Sequence, residues 1–175
     1  MTIKSNHHNA ARGSALIEFT LVGIGLLFVL ICTFEMARGM WIYHTLAHVS
    51  KEATRFLIVH GAECQARVAC LPDATLGTLA SRVQFHGVGL MPDTLQIQVY
   101  QSGTQVVGSG NGYVTLSSLA GSTTVWAASA NTGNAIQVGF RYPFRSALAM
   151  FWPGAGQVNF TLVNLGASSW DTIQF

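Results

Sequence analysis

Charge is what this sequence has least of. Only 9% of its 175 residues are charged, against about 25% in an ordinary soluble domain. Nine Lys and Arg stand against seven Asp and Glu, a net charge of +2. Lys4 and Arg12 lie ahead of residue 14, so the rest of the chain is close to neutral. No basic stripe is available to a nucleic acid. Catalytic signatures are missing too. There is no G-x-S-x-G turn, no phosphate-cradling glycine loop and no pair of carboxylates at a plausible site. An enzyme is not expected, nor a cofactor. Cysteine is scarce, with three in the chain. Cys32 lies in an apolar run and reads as inert packing. Cys64 and Cys70 are close in sequence, and in an exported domain they would close a short disulfide loop. Two free thiols or half a metal site are the alternatives, and further metal ligands are not evident nearby.

What the chain has instead is an uninterrupted apolar run. Leu16 to Phe34 reads LIEFTLVGIGLLFVLICTF. A membrane-crossing helix needs about 20 such residues. The run holds one charge, Glu18, near its front. Charge inside a spanning segment costs several kcal/mol and is by default a functional hypothesis. An ordinary anchor whose Glu18 snorkels at the bilayer edge is the competing reading. Ser14 suits a helix start, and Gly23 and Gly25 allow close approach of a second helix. No stop signal comes after Phe34. Met36, Met40, Tyr43 and Ala47, then Val49, Ala53, Phe56 and Leu57, keep helical spacing. Gly61 is a candidate C-cap. One helix is expected from about Ser14 to His60, roughly 70 Å long, spanning the membrane over about 16–34. Its second half must stand clear of the bilayer and carry the C-terminal domain. Trp41 and Tyr43 mark either the outer interface or domain core. Lys4 and Arg12 favour a cytoplasmic N-terminus. A cleaved secretory signal fits less well, because no small-x-small site closes the run.

The front of the run has a more specific reading. Gly13, then Ser14, then Glu18-Phe19, behind a short basic leader, resembles a type IV prepilin processing site. The resemblance implies cleavage after Gly13 by a prepilin peptidase, with Ser14 as the new N-terminus and Glu18 as fifth residue. Packing such helices in a filament buries a free α-amine, and a neighbour's carboxylate can neutralise it. Removing one partner of a buried pair typically costs about 3–5 kcal/mol. The order Glu18-Phe19, apolar run, Glu35-x-x-Arg38, then Ser50-Lys51-Glu52-Ala53-Thr54-Arg55 is similar to the TadE-like pseudopilins of the Flp, or tight-adherence, pilus. That family implies a minor pilin-like component in the bacterial inner membrane, with its C-terminal domain periplasmic. Its partners would be the peptidase, other pilin and pseudopilin subunits, the pilus assembly platform and the lipid bilayer. The functional positions carried over are Gly13, Ser14, Glu18 and Phe19. The flanking features have no assigned chemistry.

The rest of the chain supplies a small domain. Leu76, Leu79, Ala80 and Val83 suggest a second helix over about 74–85, with Asp73 as N-cap. Leu95, Ile97 and Val99 alternate with polar residues, as do Ile136, Val138, Phe140 and Tyr142, and each set reads as a half-buried strand. Pro143 is expected to end the later one. Ser102-Gly103 is a tight turn into Thr104–Val107. Residues 117–134 form an irregular loop, more often a tolerant connection than an exposed tip; Trp126 is the one residue in it that suggests contact with a partner. An apolar cluster over 144–154, a strand from Val158 to Leu165 and an edge strand from Trp170 complete the chain. His44 and His48, at i and i+4, have metal-ligand spacing. No Glu stands between them, and two polar residues on an exposed helix face is the blander reading. The expected fold is α+β and pilin-like: leader 1–13, long helix 14–60, and an α+β domain over 61–175 with an antiparallel sheet. The leading function is a cleaved, helix-packing pilus component. The alternative is a permanently anchored envelope binding module that keeps its leader.

Overall fold

The computed structural model describes residues 8–61, 75–108, 110, 112–126, 133–146 and 163–174, with side chains of the first helix described from Ser14. Helix α1 runs unbroken over His8–Val59. It starts six residues before the expected Ser14. The stretch between holds Ala10, Ala11 and Arg12, all good helix formers, and a single Gly13 costs about 1 kcal/mol in a helix interior. The leader is therefore helical at its C-terminal end. Helix α2 spans Leu76–His86. Its N-cap is Thr75: the Thr75 side chain accepts from the Thr78 N–H, and the Thr75 N–H donates to the Thr78 hydroxyl. This reciprocal pair satisfies two N–H groups that a helix start leaves unbonded. Asp73, the expected cap, lies outside the described residues.

Among the described residues, five strands form one antiparallel sheet. They are β1 Gln96–Gln101, β2 Thr104–Val107, β3 Val114–Thr115, β4 Ala135–Phe144 and β5 Val163–Thr172. The order is β2-β1-β4-β5, with β3 beside the start of β1. Ser102 (φ 47°) and Gly103 (φ 83°) turn β1 into β2. Two positive φ angles are what a tight hairpin turn of this hand requires. Register puts Ile97 opposite Phe140 and Val99 opposite Val138. Side chains alternate across the sheet, so Ile97, Val99, Ile136, Val138 and Phe140 share one face. All five are buried.

That face packs on α1. Ile42, Leu46, Val49, Ala53, Phe56 and Leu57 are the buried helix residues, joined by Ser50 and Thr54. The two hydroxyls turn back onto their own helix, Ser50 to the Ala47 carbonyl and Thr54 to the Ser50 carbonyl. The later half of the expected stripe is thus in place. The earlier half is not: Met36, Met40 and Tyr43 are exposed, and the buried line runs through Ile42 and Leu46. Between residues 36 and 46 apolar side chains occupy several faces of the helix, so spacing alone does not select one. The sheet selects it.

Four further expectations are corrected. Trp126 does not face outward; it is a core residue, and its indole N–H donates to the Leu57 carbonyl at 3.3 Å. Pro143 does not end β4, which continues to Phe144 opposite Val163. A proline N cannot donate, and a ladder tolerates this where no bond is required of it. The separate strand expected from Trp170 is instead the end of β5, whose ten residues pair with β4 throughout. The loop from residue 117 also opens inside a helical turn, Leu116–Leu119. Residues 158–162 and the cluster from 147 to 154 lie outside the described residues.

Candidate functional site

The N-terminal half of α1 stands clear of the sheet domain. It is the one described helix long and apolar enough to cross a membrane by length and composition. Leu16, Ile17, Phe19, Leu21 and Val22 are all exposed, Phe19 to 78%. The polar groups on this stretch fall into two kinds. Thr20 donates its hydroxyl to the Ile17 carbonyl and Thr33 to the Val29 carbonyl, each at 2.9 Å. A hydroxyl satisfied within its own helix is compatible with hydrocarbon. Glu18 is different. It is exposed and makes no salt bridge among the described residues. An Ala, Val or Leu at that position would cost nothing in oil, which makes the carboxylate the candidate functional group of this stretch.

Gly13 and Ser14 lie within the continuous helix, and Ser14 and Phe19 are exposed. Phe19 is adjacent to Glu18 and, at about 100° per residue, projects from a different face. A cut between Gly13 and Ser14 would leave Glu18 one turn from the new terminus. Gly23 and Gly25 have open space where a side chain would be, so a second backbone can approach there. Cys64 and Cys70, the expected disulfide, lie outside the described residues. Cys32 is a free thiol on α1.

Two sequence features that had no assigned chemistry prove to be structural joints. Glu35 lies 3.7 Å from Arg38, and Arg38 donates to the Arg145 carbonyl just past β4. The same guanidinium sits 4.7 Å above the Phe144 ring. Arg38 therefore ties the point where the helix leaves the apolar run to the near end of the sheet. Glu52 lies 3.9 Å from both Arg82 and His86, and Arg82 stacks over Phe56 at 5.0 Å. These contacts hold α2 against α1. The Glu-x-x-Arg and Ser50–Arg55 signatures mark where the helix meets its domain, which spacing within one helix does not reveal.

The histidines do not converge. His44 is exposed with its ring edge-on to Tyr43, whereas His48 is edge-on to His86. No three His, Cys, Asp or Glu side chains among the described residues are grouped to hold a metal ion. His60 Nδ1 lies 2.7 Å from the Phe56 carbonyl, and a carbonyl only accepts, so that nitrogen carries the proton.

Residues 13–55 match the family described as TadE-like protein. The matched stretch begins at Gly13 and closes at Arg55. It takes in Glu18, the Glu35–Arg38 pair and the Ser50–Arg55 segment, and it leaves out α2 and the sheet. The chain is TadE-like over this stretch, which links it to the tight-adherence pilus. No curated protein and no solved structure matches the chain.

Proposed function

We propose that this protein is a minor pilin-like subunit of a tight-adherence pilus, made as a precursor and matured by a prepilin peptidase that cuts after Gly13. The observation that carries this reading is Glu18, a carboxylate without a salt bridge among the described residues, on an otherwise apolar and uncovered stretch of helix. In an assembly of such helices it would pair with the freed α-amine of Ser14 on a neighbouring subunit. Desolvation makes an unpaired charge expensive there, and pairing offsets that cost. Before cleavage the protein would sit in the bacterial inner membrane, N-terminus in the cytoplasm and sheet domain in the periplasm, where Cys64 and Cys70 would form their disulfide. The domain is large beside the short major pilins of this system, which favours a priming or capping role over bulk polymer. In this reading the chain performs no catalysis.

The helix continuing back through Gly13 to His8 adds a requirement. A peptide bond inside a helix must unwind before a protease can hold it extended. Glycine lowers the cost of unwinding by about 1 kcal/mol relative to alanine. The test is the precursor carrying Gly13→Ala, co-expressed with the peptidase and followed on a gel and by N-terminal sequencing. The native chain should yield Ser14 as first residue and the variant should stay at precursor size. Native chain that keeps its leader in a membrane containing the peptidase would overturn the reading.

A further inference from the structure

The end of the domain from which α1 emerges gathers exposed apolar side chains from three elements. Trp41 on α1 is 63% exposed, Met91 in the connection from α2 to β1 is 65% and Val163 at the start of β5 is 55%. Contacts put them at one level. Val163 pairs with Phe144, which reaches Gly39 and lies beneath Arg38. Met91 lines a cleft together with Arg38, Trp41, Phe144 and Arg145. The height of this ring above the apolar run is set by helix geometry. Arg38 stands about 6 Å and Trp41 about 10 Å along the axis beyond Phe34. The headgroup layer on each side of a bilayer is about 5–7 Å deep. Arg38 is thus at phosphate level, and the apolar ring sits at its outer margin.

We propose that this ring is a seat on the phospholipid surface, with Trp41, Met91 and Val163 entering the headgroup layer and the Arg38 and Arg145 guanidiniums meeting lipid phosphates. The seat is continuous with the spanning helix, and this is what identifies the bilayer as its occupant; the inference rests on the reading that α1 crosses the membrane. Aromatic and arginine side chains gather at this depth because one part of each is apolar and the other is wet. The Glu35 carboxylate, 3.7 Å from Arg38, offsets one of the two guanidiniums, so the ring carries little net charge and a zwitterionic bilayer suffices. The seat fixes how high the sheet stands above the membrane. It must be released when α1 is drawn into a filament.

The test uses the full chain in phosphatidylcholine proteoliposomes. A nitroxide is attached through a ketone-bearing amino acid placed in turn at positions 91, 163, 102 and 22, so every cysteine stays. Labels at 91 and 163 should be several-fold less accessible to a water-soluble paramagnetic relaxant than the label at 102, on the hairpin turn at the far end. Accessibility equal to that at 102, with the label at 22 still shielded in hydrocarbon, overturns the seat and leaves the spanning helix intact. A water-accessible label at 22 overturns the spanning reading and the seat with it. Shielding at 91 that comes with spin–spin broadening, and disappears on dilution with unlabelled chain, assigns the face to a second copy and also overturns the seat.

Discussion

At the level of single residues, two side chains sit where composition alone would not put them, and for opposite reasons. Glu18 is a charge in an apolar, uncovered segment. Its neighbours Thr20 and Thr33 show that this helix otherwise satisfies its polar groups internally. Glu18→Ala should therefore insert into membranes at least as well as the native chain and assemble poorly. Membrane fractionation and pilus yield measure the two effects separately, and normal pilus yield would remove the pairing role. Trp126 is a polar-tipped aromatic at the bottom of the core. The last four carbonyls of a helix have no partner within it, and Leu57 is one of them. Its neighbours are also provided for: His60 bonds the Phe56 carbonyl and the Gln174 N–H bonds the Ile58 carbonyl. These three partners cap the end of the helix. Trp126→Phe keeps most of the packing and loses the hydrogen bond, so it should cost about 1 kcal/mol. Trp126→Ala removes the ring as well and should cost about 3–5 kcal/mol. Denaturant unfolding of the detergent-solubilised chain resolves the difference.

Among the elements, α2 shows how a connection disciplines a helix. Its first N–H groups are met by the chain that returns beside it: Leu76 N–H donates to the Thr124 carbonyl and Gly77 N–H to the Ser122 carbonyl, at 3.0 and 3.1 Å. A Cβ on Gly77 would come within 2.7 Å of that Ser122 oxygen. Alanine is the better helix former by about 1 kcal/mol, and on propensity alone Gly77→Ala would stabilise. The clash is with backbone that is itself hydrogen-bonded, so overpacking should win, with a net loss of about 1–3 kcal/mol and a lowered melting temperature. The same elements show what was legible beforehand. Strands β1 and β4 announce themselves because a sheet with one buried face imposes strict alternation, and Leu95 to Val99 and Ile136 to Tyr142 keep it. The stripe from Val49 to Leu57 is legible because Lys51, Glu52 and Arg55 mark the opposite face. The stretch around Met36, Met40 and Tyr43 is apolar on too many faces to state its own orientation. Trp126 is hidden by its setting: small polar neighbours describe the loop around it, whereas its burial depends on a carbonyl 69 positions earlier. For the candidate site the sequence carried nearly everything, because an isolated Glu in an apolar run is visible without coordinates. The joints made by Arg38 and Glu52 were not, since each closes on an element distant in the chain.

For the molecule as a whole, the division of labour along α1 makes a claim about folding. The sheet and α2 hold the helix only from Ile42 onward, with Arg38 as the outermost tie. The stretch from Ser14 to Phe34 has no fully buried side chain. The apolar first half of the helix therefore contributes no packing to the domain, and the second half contributes one wall of the core. Leu46, Val49 and Leu57 are fully buried against Ile97, Val99, Val138 and Phe140. A sheet with one apolar face needs a second layer to cover it, and here that layer is mainly the emergent helix. Removing residues 1–34 should thus leave a domain that is soluble in mild detergent and unfolds cooperatively, with α1 shortened to about half its length. Removing residues 1–60 strips the cover from the sheet and should give a chain that aggregates or lacks a cooperative transition. Circular dichroism and thermal melts on the two fragments decide the matter. If the fragment lacking the whole helix melts as sharply as the one retaining residues 35–60, the sheet has another cover, and α1 is a tether instead of a core element.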